Sequence, residues 1–103
     1  MNHWFTIQTA PRYEKRVVKS LQNLIDMNRH PALIDAKMNG PIPGYVYICV
    51  DTSSKEYKAL FTDLKNCVPG FVAILGDARY PIPLPEEEAV KLGLVKEEPS
   101  PLL

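Results

Sequence analysis

The pattern of this sequence predicts an α+β fold in which helices pack on a four-stranded antiparallel or mixed sheet. Four runs rich in β-branched and aromatic residues alternate with stretches whose apolar residues recur every three or four positions. The second and third runs are separated by a short segment containing Asn39-Gly40, a tight-turn signal that favours a hairpin. A length of 103 residues, 46% of them apolar, suffices for one modest core and therefore one domain.

The first half of the chain is predicted to form a strand, a helix and a second strand. The first strand covers residues 3–9, "HWFTIQT", and ends at a turn. Pro11 is expected at the first helical position, where its missing N–H costs nothing, and Glu14 lies near the positive helix start. The helix should end at Pro31, before a weaker strand over residues 32–38. Its apolar stripe consists of Tyr13, Val17, Val18, Leu21, Leu24 and Ile25.

A central strand is predicted over residues 44–50, "GYVYICV", because small and aromatic residues occur on both of its faces. Ser53 and Glu56 then form a capping box, the signature of a helix start. The stripe of this second helix consists of Tyr57, Leu60, Phe61 and Leu64.

The second helix should end near Gly70, and residues 71–75, "FVAIL", form the fourth predicted strand. A short third helix is expected to start at Glu86 and run to Leu92. We therefore expect a domain over residues 1–94, followed by a flexible tail or the start of a linker over residues 95–103.

Composition excludes several classes of protein. Twelve basic residues balance twelve acidic ones, so no overall positive field drives sequence-independent binding to nucleic acid. Cys49 and Cys67 lack metal-ligand or redox spacing and are interpreted as reduced, buried core thiols. No apolar stretch reaches the ~20 residues that a membrane span needs, so we expect a cytoplasmic protein without membrane contact.

The chemistry of an active site is missing from the sequence. No nucleophile lies beside a base, and no phosphate-binding glycine loop occurs. His3 and His30 are interpreted as surface residues, because neither has a second ligand at metal spacing. The run of three glutamates from Glu86 is a solvated helix start rather than a metal site. We predict no enzyme, no metal and no cofactor.

Two proline-framed corners are the unusual feature of the chain. "GPIPGY" holds Ile42 between two prolines, and "YPIPLP" holds Ile82 in the same way. Because proline fixes φ, an apolar side chain at such a corner has little conformational freedom to lose on binding. The alternative is that these residues fill the core under a rigid turn.

Three segments together resemble one family. They are "WFTIQTAPRYEKRVVKSLQNLI" from Trp4, "PGYVYICV" from Pro43 and "VPGFVAILGDARYPIPLPEEE" from Val68. In this order and spacing they resemble the N-terminal domain of NusG, the bacterial transcription elongation factor, and of specialised relatives such as RfaH. The resemblance implies a four-stranded antiparallel sheet flanked by helices, an α/β sandwich.

The resemblance also implies a partner and a site. In the family this domain binds the clamp helices of the largest subunit of bacterial RNA polymerase, bridges the main channel and favours processive, pause-resistant elongation and antitermination. Ile42 stands where the family has an aromatic residue, and Tyr45 matches its tyrosine. The implied polymerase-binding residues are Gln8, Ile42, Pro43, Tyr45, Ile82 and Leu84.

Further contacts are implied at two other places. Ser53 and Ser54 occupy the start of the second helix, where specialised relatives carry a His-Thr-Thr motif that touches the gate loop. A basic face either contacts phosphate of the non-template DNA strand or is a solvated helix face. It consists of Arg12, Lys15, Arg16 and Lys19.

Two rival functions stay open. The chain ends at Leu103 without the KOW domain of NusG, so no contact with Rho or the ribosome is expected by that route. Such a protein would be an elongation factor or a competitor that blocks host NusG at the same polymerase site. A small nucleic-acid-binding α+β module is the other alternative, against which the zero net charge argues.

Overall fold

The computed structural model describes residues 2–38, 43–53, 57–75 and 82–94. Their helices and strands follow the predicted order. The strands are β1 (Asn2–Thr9), β2 (Leu33–Lys37), β3 (Tyr45–Asp51) and β4 (Phe71–Ile74), and the helices are α1 (Glu14–Asp26), α2 (Tyr57–Cys67) and α3 (Glu86–Lys91).

The four strands form one antiparallel sheet in the order β2-β3-β1-β4. β1 is central and pairs with β3 from Asn2, opposite Asp51, to Gln8, opposite Tyr45. Each of the two helical crossovers therefore skips one strand, as in a split βαβ unit. Of the two arrangements that the sequence allowed, the antiparallel one is confirmed.

One face of the sheet carries the main core. Side chains alternate along a strand, so Phe5 and Ile7 of β1 lie on the same face as Ile48 of β3. These side chains are almost completely buried under α1 and α2, and the rings of Phe5 and Phe61 meet edge to face at 5.0 Å. The helix residues of this core are Val17, Leu21, Leu60, Phe61 and Leu64.

Of the described elements, the third helix covers one end of the opposite face. Trp4, Tyr47 and Cys49 are buried there against α3 and the turn that follows it. A six-residue helix such as α3 is about 9 Å long, whereas the eight residues of β1 extend about 26 Å. The helix α3 therefore does not reach the far end of this face, where Gln8 is exposed and Tyr45 is half-buried.

The start of α1 differs from the prediction. Pro11 is not the first helical residue, because the helix begins at Glu14. Tyr13 N–H donates to Ala10 C=O at 3.1 Å, which closes a turn, and Arg12 has φ 68°. Proline second in a turn followed by a positive φ is the pattern of a type II turn, whose third position normally needs glycine. The hydrogen bonds of this turn hold the chain out of the helix for three residues.

The end of α1 also comes earlier than Pro31. Asn28 has φ 52°, and its N–H donates to Ile25 C=O while Arg29 N–H donates to Leu24 C=O. This pair of bonds is a Schellman motif, in which asparagine replaces the usual glycine. The helix therefore stops at Asp26.

The two cysteines differ in their surroundings. Cys49 is buried, as predicted, and burial raises the pKa of its thiol. Cys67 is exposed, and the prediction of a core thiol is wrong there. The buried stripe of α2 continues from Leu64 to Val68, which leaves Cys67 on the outer side of the helix.

Candidate functional site

Two adjoining hollows mark the open end of the sheet face and are here called the Tyr45 depression. The larger measures about 510 Å³ and the smaller about 210 Å³. Gln8 and Tyr45 line both, so they form the ridge between the hollows. The larger is also lined by Thr9, Pro11, Arg12, Glu14, Pro43 and Gly44, and the smaller by Thr6, Ala73, Ile74 and Leu75.

Gln8 and Tyr45 lie together because the sheet register pairs them directly across β1 and β3. Gln8 is exposed, whereas Tyr45 is half-buried and packs against the cluster around Trp4. An amide that donates and accepts thus stands beside an aromatic ring with a hydroxyl at its tip. This combination suits a partner surface that is apolar but carries polar side chains.

The corner before β3 is fixed by hydrogen bonds on both sides of Gly44. Its N–H donates to Glu14 Oε1 at 2.8 Å, and its C=O accepts the N–H of Thr9 at 2.8 Å. Gly44 has φ +89°, a conformation that glycine adopts without steric cost. Pro43 and Tyr45 are thereby held at the rim of the depression.

A second corner mirrors the first on the other side of β1. Gly70 also has φ +89°, and its C=O accepts the N–H of Ala10 at 2.8 Å. A Cβ atom at this position would meet the ring of Tyr13 at 2.8 Å, so the glycine is required by space as well as by φ. The guanidinium of Arg16 in turn lies 5.4 Å from the centre of the Tyr13 ring.

The second proline-framed corner, which carries Ile82 and Leu84, lies outside the Tyr45 depression. Leu84 is half-buried in the Trp4 cluster, and its N–H donates to Trp4 C=O at 2.7 Å. Four residues of strand, about 13 Å, separate Trp4 from Gln8, so Leu84 sits beside α3 rather than in the depression. Ile82 is 57% exposed and does not line the smaller hollow. Its N–H donates to the C=O of Leu75, which does.

The predicted gate-loop contact is described only in part. Ser53 is exposed, and both its N–H and its hydroxyl donate to Asp51 Oδ1, at 3.0 and 2.6 Å. These bonds favour the carboxylate and lower the pKa of Asp51 to about 2. Ile42, Ser54 and the remainder of the predicted capping box lie outside the described residues.

Over the described ranges, no group of three metal-binding side chains occurs, and no helix is long and apolar enough to cross a membrane.

A comparison with protein families decides what this arrangement belongs to. The family model described as "Transcription termination factor nusG" matches residues 2–93. This chain belongs to the NusG family. Membership in the NusG family supports a general role in transcription elongation. No curated protein sequence matches the chain.

Solved structures share the fold of this NusG-family chain. A chain of an Spt4 heterodimer complex from Methanococcus jannaschii is 18% identical, with TM-score 0.66, and the match covers 87% of this chain and 94% of that one. NusG from Thermotoga maritima is 17% identical, with TM-score 0.70, over 95% of this chain and 61% of that one. A chain of the MjSpt4:Spt5 complex is 17% identical, with TM-score 0.66, over 97% and 60%. Identities this low establish the shared fold alone.

The four basic residues divide into two settings in this NusG-family domain. Arg12 lines the larger hollow of the Tyr45 depression. The other three are exposed along α1, whose opposite side is buried against the sheet; they are Lys15, Arg16 and Lys19. None of the four is in an ion pair with another residue in the part of the chain that the structure describes.

Sequence reasoning missed several residues of the site. Glu14 was interpreted only as a favourable charge at the helix start, yet it reaches a backbone N–H 30 residues away. Thr9 is 4% exposed, and its hydroxyl has no hydrogen-bond partner among the described residues. Ala73 and Leu75 were assigned to a strand without a role. The strand register identifies Ala73, since it pairs with Gln8, but no local signal predicts the bond of Glu14.

Proposed function

We propose that this chain is a non-enzymatic transcription elongation module that acts in the cytoplasm by binding bacterial RNA polymerase. Its partner would be the clamp helices of the largest subunit, and its docking surface the Tyr45 depression. Membership in the NusG family supports the general role. The specific partner rests on the single observation that an open, partly apolar hollow surrounds Tyr45, the residue that matches the family's tyrosine.

The shape and chemistry of the depression suit a helical partner. Helices are commonly bound by laying an apolar face into a groove, with polar groups at the rim. Tyr45 supplies apolar surface at the ridge, Gln8 supplies an amide beside it, and Arg12 supplies a charged group in the larger hollow. Rigid backbone at Pro43 and Gly44 keeps the entropy lost on binding small.

The proposed action is a shift of population rather than chemistry. A ligand that grips both pincers of the polymerase only in the closed state stabilises that state by its difference in affinity. The Tyr45 depression would form the first grip. The region around Ser53 would form the second, on the gate loop, and its exposed position is compatible with contact.

A binding measurement with bacterial core polymerase tests this proposal. Because Tyr45 is half-buried, roughly 50 Å² of its apolar surface remains to be buried; this stabilises a complex by about 1 kcal/mol, so Tyr45→Ala should weaken binding roughly fivefold. Ile42→Glu should weaken binding as well. Tyr45→Phe keeps the ring and should retain most of the affinity. Met27→Ala is a matched control, because Met27 is 58% exposed at the far end of α1.

Equal affinity of Tyr45→Ala and the wild type, with both proteins folded, would contradict the proposed site. Transcription through a paused template then separates the two modes of action. A pause-resistance factor shortens pause lifetimes by itself, whereas a competitor changes them only when host NusG is present.

Contact of α1 with nucleic acid is a second candidate, favoured by the exposed basic residues that have no acidic partner among the described residues. Its signature would be binding to free DNA or RNA that weakens steeply with salt. A charge-reversed pair, Lys15→Glu with Lys19→Glu, should abolish such binding. The same pair should leave polymerase affinity unchanged if the Tyr45 depression is the docking site.

A further inference from the structure

We propose that Glu14 is a positioning residue for docking, an inference that rests on the proposed function. Its carboxylate holds the peptide of Gly44 and so fixes the corner that presents Pro43 and Tyr45 to the partner. Glu14 thus acts through the backbone of another segment and need not touch the polymerase.

The corner lies just past the end of a regular ladder. The pairing of β1 with β3 ends at Gln8 and Tyr45, and the bond from Thr9 N–H to Gly44 C=O continues it by one rung. In a regular antiparallel rung the Gly44 N–H would donate back to Thr9 C=O, but at φ +89° the Gly44 backbone departs from strand geometry and its N–H takes another acceptor. Glu14 Oε1 accepts it at 2.8 Å, which anchors both polar groups of Gly44.

Both hydrogen bonds of Gly44 matter because glycine has more backbone freedom than any other residue type. Gly44 has φ +89°, and a Cβ atom there would have Thr9 O, at 4.0 Å, as its one neighbour within 4 Å among the described residues, so no described side chain packs against this position. Gly70 presents the opposite case, since the ring of Tyr13 packs directly against it. The Gly44 corner is therefore held by two hydrogen bonds, whereas the Gly70 corner is held by one hydrogen bond and by packing against Tyr13.

The position of Glu14 explains how α1 and the docking corner are coupled. Glu14 is the first residue of α1. The turn before it starts at Ala10, which directly follows β1 and donates its N–H to the C=O of Gly70, the residue before β4. The carboxylate is thus held by a rigid helix and reaches a segment 30 residues away. Glu14 is half-buried in the wall of the larger hollow and is not part of the hydrophobic core. Its bond to Gly44 is therefore the role that its carboxylate has in the structure.

Two variants separate positioning from other roles of the same side chain. Glu14→Ala removes the acceptor and should weaken polymerase binding about tenfold, the size expected for losing one charge-assisted hydrogen bond. Glu14→Gln keeps an acceptor oxygen but loses the charge, and should stay within about threefold of the wild type. A direct ionic contact with the polymerase, or a favourable charge at the helix start, would be lost equally in both variants.

The amide of Gly44 gives a readout that does not depend on the polymerase. Hydrogen exchange at this amide should be faster in Glu14→Ala than in the wild type, and slow again in Glu14→Gln. Global unfolding of the three proteins, followed in urea, shows whether a loss of affinity reflects loss of fold.

These measurements distinguish three outcomes. Weak binding by Glu14→Ala, rescue by Glu14→Gln and the matching pattern of Gly44 exchange support the inference. Wild-type affinity in Glu14→Ala, or equal losses in both variants, overturns it while leaving the proposed function intact. A wild-type protein that does not bind core polymerase overturns the proposed function and the docking role of Glu14 with it, whatever the exchange at Gly44 shows.

Discussion

The two glycine corners that flank β1 provide the sharpest test of the structure. Gly44 and Gly70 share φ +89°, and the C=O of each accepts an N–H from the end of β1. They differ in the space around the missing side chain. Among the described residues, a Cβ at Gly44 would have Thr9 O, at 4.0 Å, as its nearest neighbour, whereas one at Gly70 would lie 2.8 Å from both the Cβ and the ring of Tyr13.

The same substitution should therefore have different costs at the two corners. An alanine held at positive φ costs about 1 to 2 kcal/mol, and this is the whole effect expected for Gly44→Ala. At Gly70 the overpacked methyl adds about 1 to 3 kcal/mol, so Gly70→Ala should lower the free energy of unfolding by about 2 to 5 kcal/mol. Each kcal/mol lowers Tm by roughly 4 to 8 °C in a domain of this size.

A double-mutant cycle isolates the clash. In a Tyr13→Gly background both the Cβ and the ring of Tyr13, each 2.8 Å from the new methyl, are absent, so Gly70→Ala should cost only the φ term, as at Gly44. Urea unfolding of the wild type, the single variants and the double variant measures each term. Equal destabilisation at both corners, or a cost at Gly70 that does not change when Tyr13 is replaced by glycine, would refute the packing assigned to that corner.

Three further outcomes follow from single residues. Arg12 has φ 68°, so Arg12→Gly should raise the free energy of unfolding by up to about 1 kcal/mol in urea unfolding, and a loss would contradict the turn before α1. The buried hydroxyl of Thr9 has no partner among the described residues, so the isosteric Thr9→Val should be neutral or up to about 1 kcal/mol more stable by the same measurement, and strong destabilisation would reveal an unrecognised bond. The pKa of Asp51 is lowered from 3.8 to about 2, so the bonds of its carboxylate stabilise the fold above pH 3.8, and this stabilisation is lost as pH falls towards 2. In an NMR titration, Ser53→Ala should raise the pKa of Asp51. An unchanged pKa would argue against the side-chain bond.

Local pattern predicted most of the fold because the elements have strong periodicity. The β-branched and aromatic run of β1 and the three-and-four spacing in α1 mark elements whose buried residues include Phe5, Ile7, Val17 and Leu21. The order of the elements followed directly from these periods. Of the strand pairs, the one between β2 and β3 was within reach of the sequence, because a short segment joins them, whereas the pairing of β1 with β3 and β4 depends on the two helical crossovers.

The start of α1 was beyond the reach of local pattern. Proline is favourable at the first helical position when no tertiary contact constrains the residues before it. Here Thr9 and Ala10 are bonded to Gly44 and Gly70, and these tertiary bonds place Pro11 in a turn instead. The preference of one residue was therefore overridden by two distant glycines.

The candidate site was predictable in part for the same reason. Gln8, Pro43 and Tyr45 were predicted from the family resemblance, and the structure brings them to one depression. The sequence did not indicate that Leu84 would turn towards α3, because that depends on its bond to Trp4. The contact of Glu14 with Gly44 likewise requires the complete sheet.

The central claim is that the Tyr45 depression is the surface that meets the polymerase. Substoichiometric core RNA polymerase, added to the ¹⁵N-labelled protein, should broaden the amide signals of the residues in contact more than the rest. We predict the strongest broadening at Gln8, Thr9, Gly44 and Tyr45. Broadening concentrated on the outer side of α2, with these four amides unaffected, would contradict the claim.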